Sequence, residues 1–114
     1  MSQEETKAGS ELSGGLGALS LATRDVLAER QRQIEKEGWT PEHDDEHRSF
    51  QMAEAAACYA DAASYANLYG EAPARPSDDW PWDWKWWKPA SPRRMLVKAG
   101  ALILAEIERL DRRA

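Results

Sequence analysis

The sequence predicts an all-α domain of three main helices, with a Trp/Pro-rich loop packed across them and a disordered N-terminal tail. Three observations predict it: apolar residues recur at spacings of three and four in three separate stretches, glycines, prolines and hydroxyl residues bracket those stretches, and no stretch alternates with the two-residue period of a strand. A chain of 114 residues has room for one core, so residues 1–20 read as tail and 21–114 as a single helical domain.

The tail mixes Ser and Glu with Gly9, Gly14, Gly15 and Gly17, a composition too poor in apolar side chains to offset the entropy of ordering. The first helix is expected over about 23–37. Thr23 serves as its cap, Val26, Leu27, Arg30 and Ile34 share a face, and Gly38 supplies the stop. A charged turn follows, from Trp39 through Thr40 and Pro41 to His43, Asp44, Asp45, Glu46 and His47. The second helix is expected over about 49–68, and its row of Ala53, Ala56, Ala57, Ala60 and Ser64 is small enough for a partner helix to approach closely.

Beyond Gly70, the prolines at 73, 76, 81, 89 and 92 exclude regular helix or central strand and mark a long loop. Loops of that length are usually functional or disordered, and the run from Trp80 to Pro89 is too aromatic for disorder. Most of its rings are expected to fold over the helices and complete a core that the alanines leave thin. The third helix is expected over about 92–112, with Ser91 as cap and Pro92 in its first position. Leu96, Ala99, Gly100, Ile103, Ile107 and Leu110 read as its main buried face, widened by Met95, Leu102 and Leu104.

Composition narrows the function classes. A formal charge of −5 argues against general nucleic-acid binding, which needs an excess of Lys and Arg on the contact face. The one cysteine, Cys58, allows no intrachain disulfide and no four-cysteine zinc site, and mid-helix among alanines it reads as a small buried hydrophobe. The absence of a signal-peptide pattern and of an uninterrupted apolar run of spanning length gives the cytoplasm, that of a bacterial host, as the expected compartment and no membrane association.

Four segments carry candidate chemistry. His43 and His47, four apart, suit one face of a metal site, but three or four ligands are needed and the turn reads more simply as solvated or ion-paired, so no metal is assigned. The His43–Asp44 pair resembles HD-type phosphohydrolases, which need an earlier histidine that this chain lacks. Glu42-x-x-Asp45 and Glu108-x-x-Asp111 resemble the second half of the magnesium motif of MazG-type nucleotide pyrophosphohydrolases, while the ExxE half occurs nowhere. Ile34-Glu35, Gly38-Trp39-Thr40, Asp44-Asp45, His47 and Gln51-Met52-Ala53 resemble the RyR module, which implies a noncatalytic nucleotide-ligand role with Trp39 and the acidic turn in the pocket. Its tyrosine and glycine after the GWT turn, and its proline after the histidine, are replaced here by Pro41-Glu42 and Arg48.

More of the chain resembles a group of uncharacterised phage and prophage proteins, through RQIEKEGWTPEHDDEH, the Trp-Pro-Trp segment and LVKAGALILAEIERLDR. That resemblance implies a phage accessory origin and carries no activity.

At the third helix, Arg93, Arg94 and Lys98 crowd an N-terminus whose dipole is already positive, so an anion is expected beside them. The internal choice is Asp44, Asp45 or Glu46; the external one is a phosphate. The function expected from these features is a noncatalytic binder of a phosphate-bearing, nucleotide-like small ligand. Trp39 and Trp87 would stack on its base, Arg93, Arg94 and Lys98 would neutralise phosphate, and His43 or His47 would hydrogen-bond. The alternatives are a host-directed protein-interaction factor anchored by exposed tryptophans, and a MazG-like metal-dependent pyrophosphohydrolase. The residues identify no cofactor.

Overall fold

The computed structural model describes residues 18–38 and 50–113. Among the described residues it contains three long helices, α1 (Leu21–Glu37), α2 (Gln51–Tyr69) and α3 (Pro92–Arg113), a 3-10 turn at Trp84–Trp86, and no strand. The Trp/Pro loop between α2 and α3 packs on the helices, as its composition predicts.

Most caps fall where the sequence puts them. Gly38 and Gly70 close α1 and α2 in left-handed backbone, at φ 72° and 93°, and the amide of Gly70 donates to Ala66 O. Ser91 Oγ accepts from the amide of Arg94 at 3.2 Å, with Pro92 opening α3. At α1 the cap is Ser20 rather than Thr23: its hydroxyl accepts from the Thr23 amide at 3.1 Å and the helix begins two residues earlier than expected.

Helices α2 and α3 run antiparallel, because the Arg109 guanidinium lies over the Phe50 ring at one end while the Lys98 amine lies over the Tyr59 ring nearer the other. Their buried faces differ from the expected ones. On α2 the core side chains are Met52, Ala55, Ala56, Tyr59, Ala62, Ala63 and Ala66, whereas Ala57, Ala60 and Ser64 are exposed. The cause is bulk. Met52 and Tyr59 are the large apolar side chains in reach of the core, and burying them outweighs burying alanines.

On α3 the core side chains are Met95, Val97, Ala99, Ala101, Leu102 and Ala105; of the expected apolar arc, Met95, Ala99 and Leu102 are buried, whereas Leu96, Ile103, Ile107 and Leu110 point outward at 53%, 48%, 49% and 38% exposure. Two polar groups turn inward: Glu106 and Arg109 are buried and hydrogen-bond each other at 2.7 and 3.0 Å.

Helix α1 lies across α3, and its inward face is charged rather than apolar. Glu29, Arg30 and Gln33 are buried, Leu27 is exposed, and Val26 reaches α3 at Gly100, where a Cβ would stand 3.1 Å from a Val26 methyl. A Cβ there would force the Val26 side chain to give by a few tenths of an ångström, so glycine suits this close approach.

Candidate functional site

The cationic start of α3 has its anion inside the fold. Arg93 donates to Asp25 Oδ2 at 2.8 Å, and Arg94 forms an ion pair with Glu29. Both carboxylates come from α1, the element that the charged-turn reading passed over. Glu29 is the hub: its side chain is fully buried, Arg32 grips it with two bonds of 2.8 Å, and Gln33 Nε2 donates to it at 3.1 Å. Arg32 also pairs with Glu37. Burial pushes the Glu29 carboxyl up, but the Arg32 hydrogen bonds and the charges of Arg32 and Arg94 prevail and hold it below the ordinary carboxylate range.

Lys98 is likewise engaged. Its amine donates to Lys88 O at 2.7 Å and sits 5.5 Å from the Tyr59 ring centre, and burial lowers its pKa.

Trp87 belongs to the core. It stacks on Tyr59 with ring centres 4.8 Å apart, meets Trp80 edge-on at 5.1 Å, and donates its indole N–H to Pro73 O. A base cannot stack where Tyr59 already does. Trp80 is buried too, with its N–H on Asp83 O at 3.1 Å, and the Tyr59 hydroxyl accepts the Lys88 amide at 3.1 Å. Burial pushes the Tyr59 hydroxyl up to about 12, the Lys88 hydrogen bond only partly opposing it.

The expected site residues Trp39, His43 and His47, with Asp44, Asp45 and Glu46, lie outside the described residues, so the expected constellation reduces to Trp87, Arg93, Arg94 and Lys98. Of these, the two arginines and Lys98 come together around Glu29 and Asp25, and Trp87 faces the other way into the aromatic core. Among the described residues no group of three His, Cys, Asp or Glu side chains is arranged to hold a metal ion, and no helix is long and apolar enough to cross a membrane.

A different surface gathers the residues suited to contact a partner. Beside α2, a cavity of about 190 Å³ is lined by Cys58, Asp61, Tyr65, Arg75, Ser77 and Trp87, among others. The Arg75 guanidinium lies 5.3 Å over Trp84, which is 58% exposed, and Tyr65 packs on Tyr69 with ring centres 4.7 Å apart. Trp86 is exposed nearby in sequence, with the Lys85 amine 5.5 Å from its ring. Cys58 is buried at the cavity floor, 3.2 Å from Ser77 Oγ. Burial raises its pKa; Ser77 opposes, and the negative field of Asp79, Asp61 and Glu54 adds to the rise.

The composition of the loop does not say which of its tryptophans are exposed. Asp83 supplies the signal for Trp84 and Trp86: its carboxylate caps the short turn by accepting the Lys85 amide at 2.8 Å, which lifts both rings out of the core. Compared with known proteins, the chain matches no family profile, no curated protein and no solved structure.

Proposed function

We propose that this chain is a protein-interaction factor, and that Tyr65, Tyr69, Arg75 and Trp84 form its contact surface. The carrying observation is their clustering: Tyr65 and Arg75 line one cavity, Arg75 covers Trp84, and Tyr69 extends the patch from Tyr65. Trp, Tyr and Arg are the residue types that dominate binding energy at protein interfaces. A cavity of about 190 Å³ is smaller than the roughly 300–1,000 Å³ of small-molecule pockets, yet it admits one side chain. Asp61 lines the cavity while the Arg75 guanidinium is turned over the Trp84 ring, so a partner that presents a basic side chain among apolar ones finds a carboxylate there. The resemblance to phage proteins makes a host protein the partner class. Selection of a random displayed peptide library on the full chain tests this reading. Enriched peptides should carry Arg or Lys next to apolar residues and compete with one another; no enrichment, or enrichment indifferent to Tyr65→Ala, counts against it.

A second reading, a noncatalytic binder of a phosphate-bearing, nucleotide-like ligand, draws support from the cations around Glu29. Arg32, Arg94, Lys88 and Lys98 outnumber Glu29 and Glu37 there. The ligand would have to displace Arg94 or Lys98 from internal partners. A nucleotide-induced rise in melting temperature that Lys98→Ala abolishes would favour it.

A further inference from the structure

Helix α1 is attached by charge, whereas α2, the loop and α3 hold one another by apolar packing. Among the described residues the apolar core draws its side chains from α2, from the loop and from α3, and none from α1. Val26 touches α3 at Gly100, and the buried side chains of α1 are Glu29, Arg30 and Gln33. Ion pairs span from α1 to α3 at three places: Asp25 with Arg93, Glu29 with Arg94 and Arg30 with Glu108. Each pair has one partner open to solvent, for the side chains of Arg93, Arg94 and Glu108 are 57%, 40% and 47% exposed. Salt therefore reaches every pair.

Docking also carries costs that separation removes. Gln33 turns its Nε2 to the Glu29 carboxylate, which leaves its Oε1 buried with no hydrogen-bond partner. Reversing the amide would set oxygen against oxygen. Glu29 and Arg30 have given up hydration as well, a loss that ion pairing recovers incompletely. Water satisfies all three groups once α1 lifts away.

We infer that α1 is a salt-sensitive latch, which undocks from α3 as a unit while α2, the loop and α3 stay folded. Opening uncovers the side of α3 at Arg93, Arg94 and Gly100. The surface of Tyr65, Arg75 and Trp84 stays assembled, because it is built from α2 and the loop. A helix of 17 residues without tertiary packing has little stability of its own, so the amides of undocked α1 exchange with solvent.

Hydrogen exchange of the full chain, read by mass spectrometry under folding conditions, tests the inference. At about 0.1 M NaCl the α1 amides should exchange at least about tenfold faster than the slowest amides of α2 and α3, and about 1 M NaCl should quicken α1 about threefold or more. Core variants separate opening of α1 from unfolding of the whole. Trp80 meets the rings of Tyr59, Trp82 and Trp87, none of them in α1, so Trp80→Phe weakens the docked and undocked forms alike. It should speed the slowest amides of α2 and α3 about tenfold and leave α1 within about twofold. If that variant does not fold, Ala62→Gly, buried on α2, provides the same readout at about fivefold. An α1 that quickens together with α2 and α3 in these variants overturns the inference, since the three helices then open as one. So does an α1 that exchanges no faster than they do, or one whose rate ignores salt.

Discussion

At the scale of single residues, Glu29 decides how the cationic start of α3 is read. It is fully buried, and three side chains, Arg32, Arg94 and Gln33, converge on it. A buried carboxylate so held costs desolvation and is strongly destabilising to break, which makes it a determinant of how α1 docks rather than a large net source of stability. Its depressed pKa gives a signed expectation. The stability it contributes is fully present above the ordinary glutamate value of about 4.3 and is lost as the pH falls through the lower folded value. Melting temperature measured from pH 6 down to about pH 2 should therefore fall more steeply for the parent than for Glu29→Gln, which starts lower. Parallel curves would contradict the assignment of Glu29 as the hub.

Part of this is legible in the sequence. Ser91, Pro92 and the three cations made the need for an anion legible, because caps and dipole charges are local features. The choice among Asp44, Asp45 and Glu46 followed the densest acidic run. Glu29 is not legible from apolar periodicity, because α1 docks through charged and polar positions, Glu29, Arg30 and Gln33. Distinguishing the two requires knowing which way α1 turns, a tertiary fact.

At the scale of elements, all three helices and the loop were legible, and two of the three buried faces were rotated from their expected positions. The reason is the loop. Trp80 and Trp87 close around Tyr59, and that contact turns α2 so that Tyr59 points inward and Ala57, Ala60 and Ser64 outward. On α3, the pair Glu106–Arg109 and the residues Met95 and Leu102 take the inner positions. Amphipathic periodicity alone could not choose, since α3 is apolar over more than half its circumference.

The crossing of α1 on α3 depends on Gly100. Adding a Cβ there puts it at 3.1 and 3.3 Å from the two Val26 methyls, closer than ordinary contact, and the stiff β-branched side chain has little room to turn aside. Gly100→Ala should lower the melting temperature in the parent. In a Val26→Ala background the clash is gone, and the same substitution should instead stabilise by up to about 1 kcal/mol through helix propensity. An identical effect in both backgrounds, measured by thermal or urea unfolding, would show that the two helices do not touch at this point.

At the scale of the whole molecule, the parts divide into those that hold the fold and those it leaves exposed. Arg93, Arg94, Lys98, Trp80 and Trp87 are engaged internally, while Tyr65, Tyr69, Arg75 and Trp84 gather at the cavity beside α2 and Leu96, Ile103, Ile107 and Leu110 stand outward on α3. The sequence could nominate tryptophans and cations, but only the fold sorts them into the two groups. That sorting is the central claim. The affinity of one enriched basic peptide for the parent, Trp84→Ala and Arg94→Ala, measured by fluorescence anisotropy, tests it most directly. Trp84→Ala should weaken binding about tenfold or more with little change in melting temperature. Arg94→Ala should bind within about twofold of the parent even though its fold is less stable by about 1–3 kcal/mol. Loss of binding in Arg94→Ala, with binding retained in Trp84→Ala, would contradict the account.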